Sequence, residues 1–109
     1  MATRVSRGEI WLYTFDPPDK RRPVLVLTRQ DVIAYLSTVM VAPITSNIRG
    51  APAEVVVGPE HGLKSESVIT LDHVQTVAQE RLQRFVGRLS GEKMSEVCRA
   101  LAIATGCSS

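Results

Sequence analysis

Seven short runs of β-branched, aromatic and leucine residues, separated by turn-forming segments, constrain this chain more than any other feature. They cover residues 9–15, 23–28, 37–45, 53–57, 67–71, 74–77 and 84–89. Runs of this length and composition suit strands and are too short for stable helices. In the first, Ile10, Leu12 and Thr14 alternate with Trp11, Tyr13 and Phe15, so the two sets face opposite sides of a sheet. Pro23 is confined to the start of its strand, and Pro43 should interrupt a ladder or introduce a bulge. The runs 67–71 and 74–77 read as adjacent strands. Between the runs, 30–36 fits one or two helical turns, 78–81 a single turn, and 47–52 and 58–64 loops.

The period changes only at Ser90, which reads as an N-cap with Glu92 favourably placed in the first turn. Met94, Val97, Cys98, Leu101 and Thr105 then fall on one stripe at helical spacing, with Gly106 as the stop. Core packing is the ordinary reading of that stripe. Many short strands and one long helix predict a mainly β fold: a small barrel or strongly bent sheet with a C-terminal helix and one or two short helices. Barrel closure would remove the exposed edges that short strands leave.

At 109 residues the chain reads as one domain over 1–109, able to bury a modest core. Its 44% hydrophobic content is that of a folded protein. No apolar run approaches a membrane span, and Met1–Gly8 is basic and polar with no apolar segment behind it. A cytoplasmic location is expected. Cys98 and Cys107 lie nine positions apart. On one helix this separates them by about 13 Å, beyond the roughly 7 Å that a disulfide spans. Reduced thiols are expected, Cys98 packed on the helix and Cys107 at its frayed end. His61 and His73 are not at ligand spacing with either cysteine, so neither a metal nor another cofactor is expected. The net charge of +2 does not argue for nucleic acid. The distribution says more: Lys20, Arg21 and Arg22 are consecutive with Arg29 behind them, and Arg81, Arg84 and Arg88 form a second stretch. A solvated face is the ordinary reading of either.

Several fragments together carry a family resemblance. Arg7-Gly8-Glu9-Ile10-Trp11 resembles R-G-[DE]-[IVL]-[WY], the opening of MazF/PemK toxins. Arg22-Pro23-Val24-Leu25-Val26 is similar to their R-P-[VA]-[VL]-V, and Val41-Ala42-Pro43-Ile44-Thr45 to V-x-P-[IL]-T. Ser67-Val68-Ile69, Asp72-His73-Val74-Gln75-Thr76-Val77 and Gly87-Arg88-Leu89 resemble later stretches, and the order holds over nearly the whole chain. The resemblance implies an SH3-like barrel that forms a homodimer. It implies a type II toxin–antitoxin system whose toxin cleaves single-stranded RNA, usually mRNA, at short motifs. It also implies a cognate antitoxin whose extended, often acidic tail occupies the RNA groove.

RNA carries its own nucleophile, the 2′-hydroxyl, so the protein need only move protons and stabilise the charge on the phosphorane. A guanidinium fork suits the second task. As a general base arginine is awkward, its ordinary pKa lying above about 12. The resemblance assigns Arg22 and Thr45 as the catalytic pair, Arg22 chiefly for charge and Thr45 as a hydroxyl donor. Without it, each would read as an ordinary strand-end residue. Relatives often carry a longer loop with G-S-E before the R-P, where this chain has Asp16-Pro17-Pro18-Asp19-Lys20-Arg21. Lys20 and Arg21 could supply phosphate contacts in its place, and Ser46 and Asn47 could contact RNA or simply cap their loop. His73 stands where relatives often place glutamine, which points to structure or RNA contact rather than acid–base work. Two alternatives stay open: a gyrase-directed toxin of the same fold, similar to CcdB, and an SH3-like interaction module. The first class lacks the R-P…T pairing, and the second wants an aromatic-lined groove.

Overall fold

In the computed structural model, which describes residues 4–17 and 20–107, the seven runs form seven strands. They are β1 (Glu9–Thr14), β2 (Arg21–Val26), β3 (Thr38–Thr45), β4 (Glu54–Val57), β5 (Ser67–Thr70), β6 (Gln75–Ala78) and β7 (Arg84–Arg88). A short helix α1 (Gln30–Ile33) joins β2 to β3, and α2 (Gly91–Thr105) ends the chain. Single 3-10 turns occupy Pro59–His61, Leu71–His73 and Gln79–Arg81. Pro18 and Asp19 of the β1–β2 loop lie outside the described residues.

All pairings are antiparallel, in the order β4-β5-β3-β2-β1-β7, with β6 joining β3 off that path. The sheet curls into a half-barrel for two local reasons. The first lies in β3. Its first half pairs with β6 through Val41, and its end pairs with β5 from Ile44. Pro43, which has no N–H to give a ladder, falls between the two pairings. Its carbonyl accepts instead from Thr70 Oγ1 at 3.0 Å. β5 and β6, read from the sequence as adjacent strands, therefore run one after the other along β3 and each pairs with it. The second is a bulge in β7, where Ile10 opposes Gly87 but Trp11 opposes Phe85, leaving Val86 unmatched.

Period-two alternation then divides the apolar residues between two cores. Ile10, Leu25, Ala42 and Ile44 face a cluster completed by Val97 and Ala100 of α2. Trp11, Tyr13, Val24, Val26 and Val41 face a second cluster with Ile33 and Leu82. β1, β2 and β3 are thus covered on both sides, which explains the unbroken apolar run Val24–Leu27.

Ser90 Oγ accepts from Lys93 N at 3.1 Å, and Gly106 closes α2 at φ 72° with Cys107 N reaching Ala102 O at 2.8 Å. The buried stripe is Met94, Val97, Ala100, Leu101 and Ala104. Cys98, read from the sequence as helix packing, and Thr105 are exposed instead. The helix docks through its small residues, Ala100 and Ala104, which bring it against Leu71 and β4 and turn Cys98 outward. Cys98 Sγ accepts from Arg7 Nη2 at 3.4 Å, and both cysteines are free thiols. No helix of the described residues is long and apolar enough to cross a membrane.

Candidate active site

Arg22 and Thr45 stand at the open end of the β2–β3 pair. The pairing runs Val26 with Val41, Leu25 with Ala42, and Val24 with Pro43. Continuing that register by two residues sets Arg22 opposite Thr45. On the other side, Tyr13 of β1 is the cross-strand partner of Arg22 and stacks edge-to-face on Phe15 at 4.9 Å. Both Arg22 and Thr45 line two clefts, one on either side of them.

The two groups are set up differently. Thr45 Oγ1 accepts from Asn47 N at 3.1 Å, which fixes the rotor and leaves its hydrogen to be donated elsewhere. The half-buried Arg22 guanidinium makes no hydrogen bond or ion pair with any described residue. A fork with five donors and a hydroxyl with one therefore border the same space, a donor set suited to phosphate oxygens.

The first cleft, of about 510 Å³, continues past Phe15, Asn47, Arg49, Asp72, His73 and Gln75. Its loop wall is clamped by Glu54, whose Oε1 accepts from the backbone N–H groups of Arg49, Gly50 and Ala51 at 3.2, 2.8 and 3.2 Å. The second cleft, of about 640 Å³, takes in Lys20, Arg21, Ser46, Lys64, Arg84 and Phe85. Its far wall depends on two glycines. A Cβ on Gly62 (φ +92°) would run into the carbonyl oxygen of Val86, and one on Gly87 into that of His61. Only this close approach seats the segment carrying Lys64 against β7, which carries Arg84.

The sequence-derived candidates are therefore all at this locus, divided by Arg22 and Thr45: Lys20, Arg21 and Ser46 on one side, Asn47 on the other. His73 shares the cleft with Asn47. Sequence reasoning overlooked Asp72, Gln75 and Arg49 there, and Lys64 and Arg84 opposite. Arg84 had a signal in the second basic stretch, and Gln75 in a family-like fragment; Lys64, alone in a turn, had none. Among the described residues no group of three or more His, Cys, Asp or Glu side chains could hold a metal ion.

Residues 6–105 match the model of the PemK-like, MazF-like toxins of type II toxin–antitoxin systems. The chain is 38% identical over 109 residues to a Mycobacterium tuberculosis protein named probable endoribonuclease MazF5, covering 99% of each. Among solved structures it is similar to the Mycobacterium tuberculosis toxin MazF-mt6, with a TM-score of 0.85 and 36% identity over 93% of this chain and 99% of that one. The same fold appears in a mycobacterial endoribonuclease solved with its cognate antitoxin, at a TM-score of 0.84 and 22% identity over 96% and 98% of the two chains. With family model, full-length relatives and half-barrel fold in agreement, this chain belongs to the PemK-like, MazF-like toxins of type II toxin–antitoxin systems.

Proposed function

We propose that this toxin is an endoribonuclease that cleaves single-stranded RNA at a phosphate held between Arg22 and Thr45. The observation that carries this reading is their shared position on both clefts, with the Arg22 fork uncommitted and the Thr45 hydroxyl free to donate. The 2′-oxygen attacks the adjacent phosphorus and the bond to the 5′-oxygen breaks. The proton lost by the 2′-hydroxyl is balanced by one gained at the 5′-oxygen, leaving a 2′,3′-cyclic phosphate and a 5′-hydroxyl. Arg22 neutralises the non-bridging oxygens as charge builds, and Thr45 adds a donor worth roughly 10²–10³ in rate. The chemistry needs no metal, since the nucleophile is already on the substrate.

Lys20, Arg21, Ser46 and Asn47 hold the strand on either side of the reacting phosphate. The toxin acts in the cytoplasm as a homodimer, and a cognate antitoxin with an acidic tail competes with RNA for the cationic side of the site. Cellular RNA ends test the reading. After brief induction, sequencing should recover new 5′-hydroxyl ends at a short motif. Arg22→Ala should abolish them with fold intact, and Thr45→Val should lower cleavage about 10²-fold. Wild-type cleavage by Arg22→Ala would overturn the assignment.

A further inference from the structure

The two clefts differ in charge more than their shared residues require. The second is bordered by Lys20, Arg21, Arg22, Lys64 and Arg84, with no acidic side chain among the described residues of its lining. None of the five is in an ion pair with a described residue. The first carries both signs, Arg49 and Asp72, among the neutral hydrogen-bonding groups of Asn47 and Gln75 and the imidazole of His73. Glu54 also lines it, but one of its oxygens is already committed to three backbone amides. Asp72 is exposed, with no hydrogen bond or ion pair to any described residue.

An unpaired carboxylate next to a bound phosphodiester is repulsive, so a strand crossing this site cannot turn its phosphates toward Asp72. It can turn its bases there. Unstacked bases of single-stranded RNA present their Watson–Crick edges, and a carboxylate accepts from exocyclic amines. On the opposite side, Lys20, Arg21, Lys64 and Arg84, none paired with a described residue, match a phosphate chain and carry no base information.

We infer that the clefts divide the RNA between them. The cleft of Lys64 and Arg84 tracks the phosphates on one side of the scissile bond. The cleft of Asp72 and Gln75 reads a base on the other, with Asp72 selecting one that bears an exocyclic amine over uracil. This rests on the cleavage reading above and adds which residues set the cut motif. Uracil offers one N–H flanked by two carbonyl oxygens, which a carboxylate repels. An asparagine, with one donor and one acceptor, would accept uracil.

The test compares 5′-hydroxyl ends from wild type, Asp72→Asn, Gln75→Ala, Lys64→Ala and Arg84→Ala on one RNA pool, with cleavage measured across salt concentrations. Asp72→Asn should admit uracil at one motif position, lowering the preference for amine-bearing bases there at least about tenfold, with no change in salt slope. Gln75→Ala should loosen the same or the neighbouring position. Lys64→Ala and Arg84→Ala should weaken cleavage by a common factor at all sites and flatten the salt slope by about 0.7 each. An unchanged motif in both Asp72→Asn and Gln75→Ala, or a motif shift in Lys64→Ala, overturns the division of labour. Absence of 5′-hydroxyl ends from the wild type would instead overturn the cleavage reading itself.

Discussion

Glu9 ties the N-terminal turn to the far edge of the sheet, and the strength of that tie follows from its donors. The side chain is buried, 7% exposed. Oε1 accepts from Ser6 N at 2.8 Å and Trp11 Nε1 at 3.1 Å, and Oε2 from Arg88 Nη2 at 2.8 Å. Three substitutions separate these contributions. Arg88→Ala removes only the cation, and because the Arg88 side chain is 65% exposed the pair is screened. The cost should be about 1–2 kcal/mol, below the roughly 3–5 kcal/mol of a fully buried pair. Glu9→Gln keeps an oxygen for Ser6 and Trp11 but turns amide hydrogens toward Arg88, again about 1–2 kcal/mol. Glu9→Ala orphans the indole N–H of buried Trp11 and the Ser6 amide, at about 1–3 kcal/mol each, and leaves a void. A total of about 3–5 kcal/mol is expected. Urea titrations at constant m-value measure each cost, and every kcal/mol lowers Tm by about 4–8 °C in a domain near this size. If Glu9→Ala costs no more than Arg88→Ala, the carboxylate is not what satisfies the buried donors, and the reasoning fails.

Three shorter predictions concern the site and its assembly. Gly87→Ala sets a methyl group against the His61 carbonyl, so it should cost at least about 2 kcal/mol and flatten the salt slope of cleavage by parting Lys64 from Arg84; a wild-type urea midpoint would contradict the close approach. Cleavage should persist in excess EDTA, and loss of activity restored by magnesium would contradict a metal-free reaction. Light scattering at micromolar concentration should give the mass of two chains, and a monomer that still cleaves RNA would contradict the dimer.

Much of this architecture is written locally. β1 is legible because Ile10 and Leu12 alternate with Trp11 and Tyr13, and α2 because Ser90 and Gly106 mark its ends. What is not legible is what depends on partners. Ala100 and Ala104 read as ordinary helix formers, yet their small side chains decide which face of α2 meets the sheet, so a stripe through Cys98 looked equally good. Lys64 and Arg84 are separate surface cations until two glycines let one backbone touch another. The R-G-E fragment shows the same limit. Its position is evident, but only the structure reveals its work, with Arg7 donating to the Leu27 carbonyl, Gly8 at φ 86°, and Glu9 collecting three donors.

The meeting of Arg22 and Thr45 is the hardest feature to read from sequence, and the reason lies in the burial of β2. In a strand with one wet face, the apolar pattern fixes the register, since a one-residue slip would expose the core. Here Val24 and Val26 face one cluster and Leu25 and Leu27 the other, so a slip keeps apolar residues on both sides. Register must therefore be pinned by polar groups. Thr28, 5% exposed, supplies one at the closed end: its Oγ1 accepts from Met40 N at 2.8 Å, while Leu27 N donates to Met40 O at 2.9 Å. Those bonds set the phase of the strand pair, and the phase determines that Arg22 faces Thr45 at the open end. A hydroxyl remote from both residues is thus part of what brings Arg22 and Thr45 together.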